Sequence, residues 1–480
     1  MTSSSNTVFL VNTNRMRPVV APIALDYLSS YLREHGYETE VLDLALADDP
    51  FGAIEDRLKD AEPLAVGVTV RNSDDCYFAS GDFFLPEIRE VTEHIKEQTT
   101  APVVLGGCAF SLMPAAILDY CGCDLGIRGD GEFAFVQLLD ALRDGTSYTD
   151  VPGLAYRAGE RWRVNPAGNA PLERLPMQKR DAVDNPRYLA EGGMGGIETK
   201  RGCDKGCIYC ADPVAKGRTV RVRDPRAVVD EIDALLDQGV DVLHTCDSEF
   251  NLPIEHATAV CDEIVRRRLG NRLRWYAYMS PAPFTQAFAS SLKRAGCAGI
   301  NFGVDSGNDA MLKRLRRTFC AQDILDTAEI CRATGITSMF DLLIGGPGET
   351  KKTVVETIEL MRRAQPDRVG TSVGLRVYAG TALARMVDSE GPRGRNPSLR
   401  GAVSDNPHFL RPLFYLSKEL GDDVSQFVSG LIGDDERFFL SAPDTTRKNY
   451  NYNENQVLVD AIGKGYRGAF WDILRRLSPD

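Results

Sequence analysis

Val8-Phe9-Leu10-Val11-Asn12 is an apolar run too short for a helix, and it reads as a buried strand. Pro22 then opens a helical stretch through Tyr31-Leu32-Arg33, which Gly36 stops. Further strands are expected at residues 40–44, 64–70, Val103-Val104-Leu105 and Leu125-Gly126-Ile127, with helical stretches between them. Strands that alternate with helices predict an α/β protein with a doubly wound parallel sheet, whose ligands bind beyond the carboxyl ends of the strands.

Residues 146–195 break the pattern and read as a connector. It holds a hairpin, Gly153-Leu154-Ala155-Tyr156-Arg157 with Arg161-Trp162-Arg163-Val164, and a Pro-rich crossing from 171 to 186. Gly192-Gly193-Met194-Gly195-Gly196 is either a hinge or a tight approach to the next sheet. The alternation then resumes. An amphipathic helix at 224–238 ends at Gly239, strands follow at Val242-Leu243-His244-Thr245 and 275–280, and later strands lie in 299–307 and 341–350, with a helix at 309–316. From Val387 the chain is rich in aromatic residues, among them Phe409, Phe414, Tyr415, Phe438, Phe439, Tyr450, Tyr452, Tyr466, Phe470 and Trp471. Most of those rings are expected in ordinary core, within a helical cap whose polar pocket wall would be Asn451-Tyr452-Asn453-Glu454-Asn455. The expected domains are thus 1–145, 146–195, 196–385 and 386–480.

Composition narrows the function. A chain of 480 residues needs more than one core, and 43% hydrophobic with 26% charged residues is the balance of a globular enzyme. No run of eighteen apolar residues is present, and residues 1–7 lack the regions of a signal peptide, so a cytoplasmic protein without a membrane partner is expected. Twelve cysteines in that setting argue for reduced thiols and a metal site. The net charge of −12 disfavours a nucleic-acid partner.

The stretch that carries chemistry is Thr199-Lys200-Arg201-Gly202-Cys203-Asp204-Lys205-Gly206-Cys207-Ile208-Tyr209-Cys210. Cysteines spaced C-x3-C-x2-C in a glycine-bearing loop can bring three thiolates to one iron–sulfur cluster and leave the fourth iron open. A structural zinc site, or three unrelated core cysteines, is the alternative, although no second cysteine pair follows at finger-like distance. The strand-end loops of the first half are Asn12 to Pro22, Arg71-Asn72-Ser73-Asp74-Asp75, Gly106-Gly107-Cys108-Ala109-Phe110-Ser111 and Arg128-Gly129-Asp130-Gly131-Glu132. Their glycines let a bulky ligand lie against bare backbone, with Ser111 accepting a hydrogen bond. A GxGxxG fingerprint is absent from the first turn, which disfavours a nicotinamide cofactor.

The cysteine loop, with Tyr209 before its third cysteine, resembles that of the radical S-adenosylmethionine (SAM) superfamily, in which a [4Fe-4S] cluster chelates SAM through its open iron. Gly-Gly-x-x-x-Ser followed by Gly-x-Gly-Glu is similar to the cobalamin-binding domain upstream of many such enzymes. The resemblance covers residues 8 to about 385 and implies a Rossmann-like cobalamin domain before a partial (β/α)6 barrel with chemistry at the strands' carboxyl ends. It implies cobalamin contacts at Asn12, Arg71, Asn72, Gly106, Gly107, Ser111, Gly129, Gly131 and Glu132. The loop Asn12-Thr13-Asn14-Arg15-Met16-Arg17 lacks the histidine that ligates cobalt in other cobalamin domains, and His35, His94, His244, His256 and His408 all lie elsewhere. Cobalamin is therefore expected base-off with no histidine ligand, and Arg71 beneath the corrin is a catalytic candidate; its alternative is an ion pair with Asp74 or Asp75. A further alternative is a relic sheet that has lost its cofactor.

For SAM the resemblance implies contacts from Tyr209, from Asp247, Ser248 and Glu249 in place of Gly-Gly-Glu, and from Ser280 at the next strand end. It adds Asp305 and Ser306 within Gly-x-Asp-Ser-Gly, with Asp305 on the ribose, and Arg317 at the carboxylate. Backbone at Ile344 and Gly345 would meet the adenine. The run Lys313, Arg314, Arg316 and Arg317 has the alternative of a solvated face. The turn Tyr378-Ala379-Gly380-Thr381 resembles the one that closes the barrel of the cobalamin-dependent subgroup. The implied reaction starts with a low-potential electron from a donor such as flavodoxin or ferredoxin, which splits SAM at the Cys203, Cys207 and Cys210 cluster. The deoxyadenosyl radical takes hydrogen from an unactivated carbon of a small-molecule or peptide-derived intermediate, and methylcobalamin supplies the methyl group. Alternatives are a rearrangement, cyclisation or oxidation by the same cofactors without methyl transfer, and a non-catalytic cobalamin or metal sensor.

Overall fold

The computed structural model describes residues 6–169, 171–440 and 455–477. Its first sheet has strands β1 (Thr7–Asn12), β2 (Glu38–Asp43), β3 (Ala65–Thr69), β4 (Val103–Gly106), β5 (Leu125–Ile127), β6 (Leu154–Ala158) and β7 (Arg161–Val164), in the order β2-β1-β3-β4-β5-β6-β7. The first five pair in parallel, as the alternation with helices predicts. Period two along β1 shows why. Val8 and Leu10 pack with Leu25 and Leu32 on one face, whereas Phe9 and Val11 pack with Ile54, Leu85 and Ile88 on the other. A strand apolar on both faces must be covered by helices on both sides. Each such side chain contributes roughly 1.5–3 kcal/mol by burial. The hairpin expected in the connector instead continues this sheet, because β6 pairs antiparallel with β5.

The short ladder of β9 (Lys200–Arg201) and β10 (Arg221–Val222) flanks the cysteine loop. The second large sheet comprises β8 (Gly195–Ile197), β11 (Val242–Thr245), β12 (Arg274–Met279), β13 (Cys297–Asp305), β14 (Thr337–Ile344), β15 (Arg368–Val373) and β19 (Phe438–Leu440). All seven are parallel, in the order β19-β15-β14-β13-β12-β11-β8, so the six expected strands gain a seventh from the tail. Leu243, Trp275, Ala277, Phe302 and Phe340 face the outer helices. Val242, Tyr276 and Met339, near the amino-terminal strand ends, face inward onto Trp471 and Ile473 of the tail helices Gln456–Gly463 and Phe470–Arg476.

The tail is therefore more than a helical cap. Besides β19 it supplies β17 (Leu399–Gly401) and β18 (Leu413–Tyr415), which form a small antiparallel sheet with β16 (Leu375–Arg376). Phe409, Phe414, Tyr415, Phe438, Phe439 and Trp471 are buried, as ordinary core should be. Tyr450, Tyr452 and most of the expected polar wall lie outside the described residues; Asn455, the exception, caps the helix Gln456–Gly463 through Leu458 N at 3.1 Å. The glycine run is a tight approach, since a Cβ on Gly195 would lie 2.7 Å from Leu243 Cδ2, and one on Gly193 2.9 Å from Val19 O.

Buried charge joins the two sheets. Arg180, fully buried, donates to Asp26 Oδ2 at 2.8 Å and to Glu231 Oε1 at 2.8 Å, and Glu231 also accepts from Tyr27 at 2.7 Å and Arg223 at 2.7 Å. Asp26 and Tyr27 lie on the helix Ile23–Glu34 of the first half, Glu231 on Pro225–Asp237 of the second. No helix among the described residues is long and apolar enough to cross a membrane.

Candidate active site between the two sheets

The carboxyl ends of β1, β3, β4 and β5 face the barrel across one cavity of about 720 Å³. Its first-sheet wall includes Asn12, Arg71, Gly106, Gly107, Ser111 and Gly131, and its barrel wall includes His244, Cys246 and Tyr278. Gly107 is required for the backbone itself, with φ +109° and a Cβ position 2.7 Å from Val70 O. Gly131 has nothing within 4 Å of a Cβ, and Gly106 nothing nearer than Ile127 O at 3.7 Å, so this floor is bare backbone of the kind a large planar ligand needs.

Arg71 does not pair with Asp74 or Asp75. Asp74 is fully buried against Arg376 at 2.9 Å, and Asp75 is bound by Ser80 and by Tyr77 N at 3.1 Å. Among the described residues Arg71 donates from Nη1 to Asn72 Oδ1 at 3.1 Å and has no ion pair. The loop is thus tied down by Asp74 and Asp75 while a cation is left on the cavity wall. The other expected contacts are less free. Asn12 spends its amide on Asp43 Oδ1 at 2.8 Å and Tyr188 Oη at 3.1 Å. The Ser111 hydroxyl donates to Gly107 O at 2.8 Å and accepts from Gly129 N at 2.9 Å. Glu132 is engaged by Arg201 at 2.6 and 3.0 Å. These three shape the wall rather than offer free polar groups to a ligand.

At the barrel's strand ends the cysteine loop is held on both flanks, by Cys203 N on Gly217 O at 3.0 Å and Leu383 N on Ile208 O at 2.8 Å. Cys203, Cys207 and Cys210 are half-buried thiols whose pKa burial pushes up, so a cationic centre is needed to hold them as thiolates. Among the described residues no three His, Cys, Asp or Glu side chains converge on a point that a single ion could occupy.

Beside the thiols lies one buried electrostatic group. Arg317 donates to Cys207 Sγ at 3.2 Å and to Gly303 O at 2.5 Å, and pairs with Asp305 at 3.4 Å and Glu249 at 3.7 Å. Tyr209 donates to Asp305 Oδ2 at 2.6 Å. A bulge between Gly303 and Asp305, with Asp305 at φ +62°, re-aims this aspartate. Burial raises the Glu249 carboxyl to about 7, against the pull of Arg317. Arg317 alone of its basic run turns inward, with 8% of its side chain exposed, while Lys313, Arg314 and Arg316 are exposed.

Several remaining candidates are scaffold. Asp247 accepts from Thr199 N at 2.8 Å, Thr199 Oγ1 at 2.6 Å and Lys200 N at 3.1 Å, and so anchors the entry to the cysteine loop. Ser248 donates to Asp212 at 2.5 Å, Ser306 is shared with Thr357 at 3.1 Å, and the Ser280 backbone is bracketed by Asn251 at 2.9 and 3.0 Å. Ile344 O is taken by Gly374 N at 2.7 Å, and Gly345 by Glu349 at 2.5 Å and Ser417 N at 2.9 Å. Sequence reasoning gave no role to His244 and Tyr278, whose rings meet edge-on at 5.1 Å on the cavity wall. The signal was period two, which places both on the inner face near the ends of adjacent strands.

Comparisons with known proteins agree with this geometry. A model of the radical SAM superfamily matches residues 197–361, and one of the B12 binding domain matches residues 10–139. The tryptophan 2-C-methyltransferase of Streptomyces laurentii is 33% identical, over 97% of this chain and 95% of that protein. The radical SAM methyltransferase TsrM from Kitasatospora setae, solved with tryptophan and a SAM analogue, superposes with a TM-score of 0.92 at 32% identity, covering 98% of both chains; it is also solved with cobalamin and a [4Fe-4S] cluster. The cobalamin-dependent SAM radical enzyme OxsB shares the fold, with a TM-score of 0.72 at 17% identity over 86% of this chain and 64% of that one. A cobalamin-type domain and a cysteine-bearing barrel facing each other across one cavity, in a chain aligned almost end to end with a methyltransferase, make this protein a member of the cobalamin-dependent radical SAM methyltransferases.

Proposed function

We propose that this enzyme methylates a carbon of a small-molecule or peptide-derived intermediate, and that the substrate is a planar aromatic amino acid of the tryptophan type. The observation that carries the reading is the single cavity running from Arg71 and the bare glycine floor to the inner barrel wall. Cys203, Cys207 and Cys210 would hold the cluster, and Arg71, Gly106, Gly107 and Gly131 would face a corrin bound base-off, as the family resemblance implies; the histidine on the cavity wall, His244, lies on the barrel side, so no histidine ligand would come from the first sheet. Bound together, these groups would supply the one-electron, radical and methyl-transfer chemistry that no side chain here can provide.

The protein's own part is orientation and exclusion of water. Arg317 would neutralise a carboxylate beside Cys207, and Glu249 and Asp305 would accept from ammonium and hydroxyl groups. His244, whose pKa burial pushes down to about 4, and Tyr278 present an uncharged aromatic wall suited to an indole-sized ring. The electron carrier would meet the exposed edge of the cysteine loop, where Lys313, Arg314 and Arg316 have no carboxylate partner among the described residues and Arg316 Cδ lies 3.9 Å from the Gly206 Cβ position. The enzyme would work in the cytoplasm, where thiols stay reduced.

Anaerobic reconstitution with iron, sulfide and cobalamin, followed by incubation with SAM and L-tryptophan, tests this. Mass spectrometry should find one added methyl group on the product, and liquid chromatography should find deoxyadenosine. A methylated product without deoxyadenosine would refute the radical step, and no methylated product from any aromatic amino acid would refute the substrate class.

A further inference from the structure

Arg201 stands two residues before Cys203, with 11% of its side chain exposed and three carboxylates around it. Glu132 takes it bidentate at 2.6 and 3.0 Å, Asp130 accepts at 3.2 Å and Glu198 at 2.8 Å. Arg221, opposite Arg201 in the β9–β10 ladder, holds the second Asp130 oxygen. Asp130 and Glu132 belong to the Gly-x-Gly-Glu turn after β5, and Gly129 of that turn is bonded to Ser111, itself bonded to Gly107. One unbroken line of contacts thus joins the glycine floor of the cavity to the cysteine loop. There is no slack at its far end. Gly202 has φ +90° with Thr219 O occupying its Cβ position, and Cys203 N is fixed on Gly217 O at 3.0 Å.

A bidentate arginine–carboxylate pair transmits position because its two parallel bonds define a plane, which a single lysine contact does not. We infer that Arg201 and Glu132 are positioning residues that couple the two cofactor sites. Occupation of the floor at Gly106, Gly107 and Gly131 holds the turn in place; the turn holds Arg201, and Arg201 holds the Cys203 end of the loop. Coupling between sites is reciprocal, so a cobalamin that steadies the cluster must be bound more tightly when the cluster is present, by the same factor. This inference rests on the cofactor assignment proposed above.

The test follows cluster loss to an iron chelator by visible absorbance in the full-length reconstituted protein, with and without hydroxocobalamin. In the wild type, cobalamin should raise the chelator concentration that removes half of the cluster at equilibrium by about fivefold or more. In Arg201→Lys and in Glu132→Gln, each still loading both groups, the ratio should fall close to one; the near-isosteric Glu132→Gln serves if Arg201→Lys does not fold. Arg376→Lys, which loosens a different contact between the two halves, should keep the wild-type ratio. The inference is overturned if the wild type shows no protection, if both variants keep it, or if Arg376→Lys loses it equally. A wild type that binds no cobalamin at all refutes the cofactor assignment instead, and the coupling with it.

Discussion

Replacing Arg317 by methionine should destabilise the apo-protein in a way that grows with pH. At an effective dielectric of 20, a unit charge attracts Asp305 at 3.4 Å and Glu249 at 3.7 Å by about 5 and about 4.5 kcal/mol before desolvation. The net loss is smaller. A hydrogen-bonded charge of this kind, which here donates to Gly303 O, contributes roughly 1.5–3 kcal/mol. Glu249 supplies the dependence. Burial raises its pKa from 4.5 to about 7, so the stability of its neutral form is fully present below about pH 4.5 and is lost as the pH rises through about 7. Without Arg317 the carboxyl escapes by keeping its proton, which at pH 8 forfeits about 1.4 kcal/mol, one pH unit above its titration, and at pH 5.5 forfeits almost nothing. Thermal unfolding of wild type and R317M at pH 5.5 and pH 8 measures this. The gap in midpoint should be clearly wider at pH 8, and a gap equal at both values, or wider at pH 5.5, would refute the reasoning.

Cys210→Ala should abolish the visible absorbance of the reconstituted cluster and all turnover, since the loop holds no fourth thiol to take its place; retained absorbance would remove the cluster from this site. Arg71→Met should leave folding intact, because Arg71 has no ion pair among the described residues, while lowering methyl-transfer turnover on the order of tenfold or more; an unchanged rate assigns Arg71 no part in the chemistry. Arg180→Met leaves Asp26 and Glu231 buried and short of a partner and should cost about 3–5 kcal/mol, read as a lower midpoint in urea; a change below about 1 kcal/mol contradicts the burial seen here.

Much of this molecule was legible from local pattern. The strands β1 to β5 and the cysteine loop follow from short-range signals, apolar runs bounded by glycine and a three-cysteine spacing, whereas Arg317 was singled out by family resemblance alone, with a solvated face as its alternative. What was not legible depended on partners far apart in the chain. Asp247 and Glu132 sit where family resemblance places cofactor contacts, yet Thr199 and Arg201 claim them, across 48 and 69 residues. Arg71 is the converse case, since one of its two candidate partners, Asp74, is taken by Arg376, 302 residues further along the chain. The short strand β19 was hidden because Phe438-Phe439-Leu440 is too brief an apolar run to tell a strand from buried helix.

The contacts between the two halves share a chemistry that bears on methyl transfer. Arg180 with Asp26 and Glu231, Arg376 with Asp74, and Arg201 with Glu132 are all ion pairs with side chains no more than 11% exposed. Buried ion pairs contribute little net stability against apolar packing of the same volume, so stability alone does not account for them. What they supply is direction. An apolar interface tolerates sliding by a fraction of a side chain, whereas an arginine fork loses its bonds when its partner shifts or tilts. Transfer between two groups held on separate sheets depends on their approach, and a misplacement near 1 Å can cost about a hundredfold in rate. An interface of buried arginine–carboxylate pairs, one of them the bidentate Arg201–Glu132, is therefore the arrangement expected where the distance between the halves, more than the stability of either, sets the rate.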